Sequence, residues 1–110
     1  MVQTLTSLEE FENVIDSGKT VVVDFTATWC GPCRKVAQPF ERLANIYTEL
    51  VFVKVDVDEA HDVATRYNVT CMPTFHVFQN KTIVDSMSGS DIQKLNKMVE
   101  AYGESKNLEC

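Results

Sequence analysis

No apolar run in this sequence approaches the ~20 residues that a membrane-spanning helix needs, and 24% of the chain is charged. Those two facts exclude an integral helical membrane protein and most disordered compositions. Basic residues are scarce: ten Lys and Arg stand against sixteen Asp and Glu, a formal net charge of −6. They are also scattered, so a phosphate backbone would find no basic patch, and nucleic-acid binding is not expected. A Gly-rich dinucleotide fingerprint is missing too. Met1 to Phe11 hold no basic stretch ahead of an apolar core, and acidic residues come as early as Glu9 and Glu10, unlike a secretory or organellar leader. The expected location is therefore the cytoplasm. Four cysteines in 110 residues are too few for a disulfide-stapled miniprotein, and a chain of this length folds on its hydrophobic core alone. With no repeat, linker or low-complexity segment, one domain is expected over residues 1–103, followed by a tail at 104–110.

What the sequence does contain is an alternation of strand and helix patterns. Val2 to Leu5 reads as a short strand, and Ser7 with Glu10 as a capping box opening a helix on Leu8, Phe11 and Ile15 that Gly18 stops. Thr20 to Thr26 is too short for an ordinary helix and rich in β-branched residues, the pattern of a central strand buried on both faces. From Pro32 to about Glu49, Val36, Phe40, Leu43 and Tyr47 repeat at helical spacing, with an expected kink at Pro39. A strand at Val51–Val57 and a short helix around Ala60 to Tyr67 follow. Thr74–Gln79 and Thr82–Met87 are separated only by Asn80-Lys81, which demands a hairpin. Ser90 and Gln93 read as a second capping box, for a helix with Ile92, Leu95, Val99 and Tyr102 on one face that Gly103 ends. Helical crossovers followed by a hairpin imply a mixed sheet covered on both faces, an α/β sandwich of three layers.

The chemistry concentrates in Trp29-Cys-Gly-Pro-Cys33, between a buried strand and the start of a long helix. Free N–H groups and the positive end of the helix dipole stabilise a thiolate at Cys30, and the thiolate is the species that attacks disulfides. One helical turn on, Cys33 is placed to resolve the mixed disulfide, leaving Cys30 and Cys33 joined. The competing reading is a zinc half-site. Cys71, His76, His61 and Cys110 are the further ligands available, but none forms a second closely spaced pair. Asp24 stands inside Val-Val-Val-Asp-Phe, where a carboxylate is costly to bury and its pKa rises toward neutrality. The alternative for Asp24 is a solvated strand end.

Three segments carry a family likeness: Phe25-Thr-Ala-Thr-Trp-Cys-Gly-Pro-Cys33, Val55-Asp-Val-Asp-Glu59 and Met72-Pro-Thr-Phe75. Together they closely resemble the thioredoxin family, above all its cytosolic eukaryotic members, over essentially the whole chain from Val2 to about Gly103. The resemblance implies the thioredoxin fold, a three-layer α/β/α sandwich with a central five-stranded mixed sheet and four helices. It implies a protein-disulfide reductase in which Cys30 attacks and Cys33 resolves. Gly31-Pro32 is similar to the dipeptide of strongly reducing members, whereas protein disulfide isomerases usually carry Gly-His. Asp24 resembles the family's buried Asp, which takes the proton of the resolving thiol, here Cys33. Lys54 resembles the Lys that modulates that Asp, a snorkelling structural Lys being the other reading. Pro73 resembles the family's cis proline, which would let the Met72 backbone present N–H and C=O to an extended substrate. Trp29, Gly31, Pro32, Met72 and Gly89 then resemble the rest of a shallow apolar docking surface, with core filling as the alternative for Trp29.

No bound cofactor is implied beyond the redox-active disulfide Cys30–Cys33. NADPH and FAD would belong to a partner thioredoxin reductase. Peroxiredoxins, methionine sulfoxide reductases and ribonucleotide reductase are the implied targets. A monomer is expected. Some animal members carry a cysteine at the position of Cys71, beside the docking surface, where oxidation or intermolecular pairing would block substrates. Cys71 and Cys110 are thus the routes to an oxidised dimer. Many relatives have Gly where this chain has Asn80-Lys81, a departure that touches the hairpin rather than the chemistry. Two rivals remain: a redox-silent binding module, disfavoured by the intact cysteine pair, and an oxidase or isomerase, disfavoured by Gly-Pro and the missing leader. His76 reads as a partly buried structural histidine. Asp56, Asp58, Glu59 and Asp62 read as a solvated acidic face, since they lack calcium-ligand spacing.

Overall fold

In the computed structural model, which describes residues 2–103, the chain runs through β1 (Val2–Leu5), α1 (Leu8–Ile15), β2 (Val21–Thr26), α2 (Gly31–Ile46), β3 (Val51–Asp56), α3 (His61–Arg66), β4 (Thr74–Gln79), β5 (Thr82–Ser88) and α4 (Ile92–Glu100). The tail predicted at 104–110, with Cys110, lies outside the described residues. The strands form one sheet in the order β1-β3-β2-β4-β5. β1, β3 and β2 are parallel, while β4 and β5 are antiparallel additions. The expected five-stranded mixed sheet with four helices is what forms.

β2 lies at the centre because its side chains leave it no exposed face. Val21, Val23 and Phe25 point into a cluster with Phe11, Val63 and Phe78 under α1 and α3. Val22 points the other way, among Val36, Phe40, Leu43, Leu95 and Val99 under α2 and α4. Period-two alternation puts Asp24 on that second face. Each large aliphatic or aromatic side chain so buried contributes roughly 1.5–3 kcal/mol.

Element ends depart from the sequence expectations for local reasons. Cys30 is itself the N-cap, so α2 starts at Gly31 with Pro32 in its first turn. It ends at Ile46, before Glu49: Tyr47 turns out of helical geometry (φ −103°, ψ 71°), and the Leu50 N–H closes a turn on its carbonyl at 3.1 Å. That turn sends Tyr47 and Leu50 into the core. In α1 the Ser7 hydroxyl accepts the Glu10 N–H at 3.2 Å, but the Glu10 carboxylate accepts from the Thr6 N–H at 2.8 Å, one residue outside a closed capping box. The cap of α4 is Asp91 rather than Ser90; its carboxylate accepts the Lys94 N–H at 3.1 Å, so Gln93 cannot close a box. The glycines sit beyond the helix ends rather than at them: α1 is capped by Asp16 and α4 by Ala101. Gly103 is required by proximity, because a Cβ there would lie 2.5 Å from the Tyr47 ring.

The outer strand β5 is irregular. Val77 pairs with Asp85 and Phe78 with Ile83, so Val84 is an extra residue in a bulge. The Tyr102 hydroxyl, 3.4 Å from the Val84 carbonyl and 3.2 Å from the Asp85 carboxylate, ties the strand to the end of α4.

At the hairpin, Asn80 and Lys81 both have positive φ (53° and 66°), as a two-residue turn of the right hand for a hairpin requires. Lys81 bears the cost of a left-handed conformation with a Cβ, against an exposed ion pair to Asp16 at 3.2 Å that is worth little. Lys81→Gly is therefore expected to raise stability by about 0.5–1 kcal/mol in urea unfolding. Lower stability in that variant would show that the ion pair outweighs the backbone strain.

Candidate active site

The carboxyl end of β2 delivers Ala27, Thr28 and Trp29 to the mouth of α2. A turn closed by the Cys30 N–H on the Ala27 carbonyl (3.2 Å) sets Cys30 in an extended conformation (φ −93°, ψ 112°). The Cys33 N–H then donates to Cys30 Sγ at 3.1 Å. Cys30 and Cys33 form a disulfide with Cα atoms 5.3 Å apart. Both are almost fully buried, and no acidic residue sits in the first turn of α2 to offset the positive end of its dipole.

The loops around this pair meet it with backbone. The Met72–Pro73 peptide is cis, and the Met72 carbonyl oxygen is 3.8 Å from Cys30 Sγ. The Gly89 N–H donates to the Pro73 carbonyl at 2.9 Å, which fixes the β5 end beside the same loop, with Gly89 at φ +99°. Gly31 has open space around the position of a Cβ. Trp29 is 64% exposed, so it does not fill the core. Its indole N–H donates to Asp58 at 2.8 Å, and the Asp58 N–H donates in turn to the Asp56 carboxylate at 2.9 Å. Asp58 thus positions the indole, a role that reading the acidic cluster as a solvated face missed. The available signal was an exposed indole donor in need of an acceptor, but nothing in the spacing says which acid supplies it.

Asp24 is 1% exposed, and its Oδ1 has no hydrogen-bond partner among the described residues. Burial pushes its pKa up to about 7, while the Lys54 charge pulls the other way. Lys54 stands directly across from Asp24 in the β2–β3 register. Lys54, Thr26 and Cys33 line a cleft of about 370 Å³ between α2 and the sheet, and Asp24 shares the sheet face of Thr26. The solvated strand end is therefore not its environment.

The remaining candidates fall elsewhere. Cys71 carries an exposed free thiol one residue from Met72, its Sγ 3.8 Å from the Thr74 hydroxyl. His76 is buried, packed edge-on against Phe25 (5.2 Å) and Phe78 (6.1 Å), and desolvation lowers its pKa. Among the described residues no three His, Cys, Asp or Glu side chains come together in a way that could hold a metal ion.

Comparison with known proteins agrees with this geometry. The sequence model of the family described as Thioredoxin matches residues 2–101. Thioredoxin 1 of Plasmodium falciparum is 43% identical over 102 residues, covering 93% of this chain and 98% of that protein. A solved structure of Plasmodium falciparum thioredoxin matches with a TM-score of 0.90 at 42% identity, over 92% of this chain and 99% of that one. A chain from a structure described as the basis of thiol resolution in yeast mitochondrial 1-Cys peroxiredoxin via glutathione/thioredoxin systems matches with a TM-score of 0.86 at 36% identity, over 91% and 94% of the two chains.

Asp24 makes stability depend on pH in a direction that can be worked out. Its native pKa of about 7 stands above the ordinary 3.8, so between those values the folded state holds the proton more tightly. Stability from this group is complete below pH 4 and is lost as pH rises through 7, a loss of roughly 4 kcal/mol. Asp24→Asn is expected to match the parent near pH 4 and to exceed it by about 2–4 kcal/mol at pH 8 in urea unfolding of the oxidised protein. An equal difference at both pH values would refute a raised native pKa.

Proposed function

The chain belongs to the thioredoxin family and is a thiol-disulfide oxidoreductase whose redox group is its own Cys30–Cys33 disulfide, and from that premise we propose the roles of its residues. In the reduced protein the Cys30 thiolate, favoured by the Cys33 N–H and the end of α2, attacks one sulfur of a substrate disulfide. The Cys30–substrate bond forms, the substrate S–S bond breaks, and the first substrate sulfur leaves as a thiolate. Asp24 accepts the proton of Cys33, for which a carboxyl poised near neutral pH is suited. The Cys33 thiolate attacks Cys30 Sγ, the Cys30–Cys33 bond forms, and the second substrate sulfur leaves. Two electrons pass to the substrate. The observation that carries this reading is the disulfide at the N-cap of α2, with Cys30 Sγ accepting a helix N–H.

Trp29, Gly31, Pro32, Met72, Pro73 and Gly89 form the docking surface in this proposal. The exposure of Trp29, the closeness of the Met72 carbonyl to Cys30 and the Gly89–Pro73 bond support it. Lys54 tunes the proton affinity of Asp24. Members of the family act with thioredoxin reductase and with disulfide substrates. For this chain we add that the reductase draws electrons from NADPH through FAD, and that peroxiredoxins, methionine sulfoxide reductases and ribonucleotide reductase are the targets. The working unit is a monomer of residues 1–103. Its compartment is the cytoplasm, where thiol pools keep such a pair reduced. Oxidation or intermolecular pairing at Cys71 covers the docking surface and slows the enzyme. Its exposed thiol beside Met72 supports that role.

Turnover of insulin disulfides with NADPH and a thioredoxin reductase tests the reaction. The parent is expected to be active and Cys30→Ser to fall to the uncatalysed background, while Cys33→Ser accumulates a mixed disulfide with substrate. Activity retained in Cys30→Ser would overturn the assignment. Separately, Cys71→Ser is expected to resist peroxide inactivation and to lose its share of oxidised dimer; unchanged sensitivity and dimer content would remove Cys71 from regulation.

A further inference from the structure

On the flank that carries Cys71, the surface beside the disulfide opens into a second cleft of about 440 Å³. Its walls come from the segment ending at Cys71, from β4 and β5, and from the first turn of α4. Two of its lining residues, Cys71 and Ser88, are chain neighbours of the redox site. Cys71 on its rim precedes Met72, whose carbonyl is 3.8 Å from Cys30 Sγ. Ser88 on its other side precedes Gly89, which is bonded to Pro73.

Its lining is polar and of one sign. Thr74, His76, Ser86 and Ser88 line it, and among the described residues Lys94 is the one formally charged residue that does, in a protein whose net charge is −6. Among the described residues no carboxylate lies within salt-bridge distance of Lys94, the Lys81–Asp16 pair being elsewhere. The hydroxyls are organised from beneath. His76 is 9% exposed, its Nε2 has no partner among the described residues, and its Nδ1 lies 3.0 Å from the Ser86 hydroxyl. With Nδ1 as the donor, Ser86 accepts from the ring and its own proton is left to donate into the cleft.

Resting on the reading of the chain as a protein-disulfide reductase, we propose that this cleft is a substrate subsite. It receives an acidic side chain about two to five residues to one side of the substrate's reacting cysteine, a span of roughly 7–17 Å in an extended chain. The Lys94 ammonium is its counter-charge, and the Ser86 and Ser88 hydroxyls are its donors. An extended substrate paired with the Met72 backbone continues along Cys71 into the cleft. The rest of the surface, being net acidic, disfavours acid elsewhere, so the subsite selects for the position of a charge and not merely its presence.

The test is a set of disulfide-linked peptides in which a single Glu is moved from five residues before the reacting cysteine to five after it, each compared with its Gln counterpart. Parent protein and Lys94→Gln are assayed for kcat/KM at low salt. In the parent, Glu is expected to exceed Gln by about fivefold at one or two adjacent positions on one side only. In Lys94→Gln the ratio falls to about one while the Gln peptides keep parental rates, and 1 M salt collapses the parental ratio. A parent that reduces every peptide with no positional preference, or a preference retained in Lys94→Gln, overturns the subsite while leaving the reductase reading intact. Failure to reduce any peptide would instead strike at that reading.

Discussion

The N–H of Cys33 aimed at Cys30 Sγ is a backbone contact, and most of the architecture serves to hold it. A helix end can present such a donor only if the helix is anchored farther along, and α2 is anchored by Val36, Phe40 and Leu43 on the α2/α4 side of the sheet. The entry of the chain is fixed equally firmly, because β2 is buried on both faces and its end lies in the middle of the sheet. Pro32 suits the first turn, where its missing N–H costs nothing. The reactive sulfur is therefore placed by packing on both sides of it, and the Met72 carbonyl oxygen approaches it to 3.8 Å.

The same packing that places the cysteines makes Asp24 expensive. A carboxyl on the buried face of β2 lowers stability wherever it is ionised, and Lys54 in the neighbouring register offsets only part of that cost. An apolar residue would pack there without penalty. That a destabilising group occupies the site fits a proton carrier, whose usefulness comes from a proton affinity shifted by burial. In the proposed mechanism, stability and chemistry pull in opposite directions at this one side chain.

Much of the fold was legible in the sequence. The β-branched run at Val21–Thr26, the helical spacing from Val36 to Leu43 and the short Asn80-Lys81 connection mark their elements, since each is a local pattern with few alternatives. The cysteine pair was equally plain, because its chemistry depends on a spacing of one helical turn. The misread details are decided by tertiary contacts. Whether Ser90 or Asp91 caps α4, and where α2 ends, depends on which side chains the core can accept. The Trp29–Asp58 bond joins two loops that only the sheet order brings together, and the His76–Ser86 pair depends on the β4–β5 register.

The bulge in β5 bears on how the protein meets other chains. An outer strand with Ile83 and Val84 exposed at 38% and 41% would, if flat and regular, offer a template for strand addition and eventually for fibrils. The extra residue at Val84 twists that edge, and Tyr102 engages the Val84 carbonyl that another chain would seek. On the proposed docking of an extended substrate beside Met72, a protein that pairs transiently with backbone at one place has reason to refuse it at an exposed strand edge. The irregular edge of β5 discourages strand addition along that margin of the sheet and leaves the surface around the disulfide, where release is built into the chemistry, as the place for such encounters on this side.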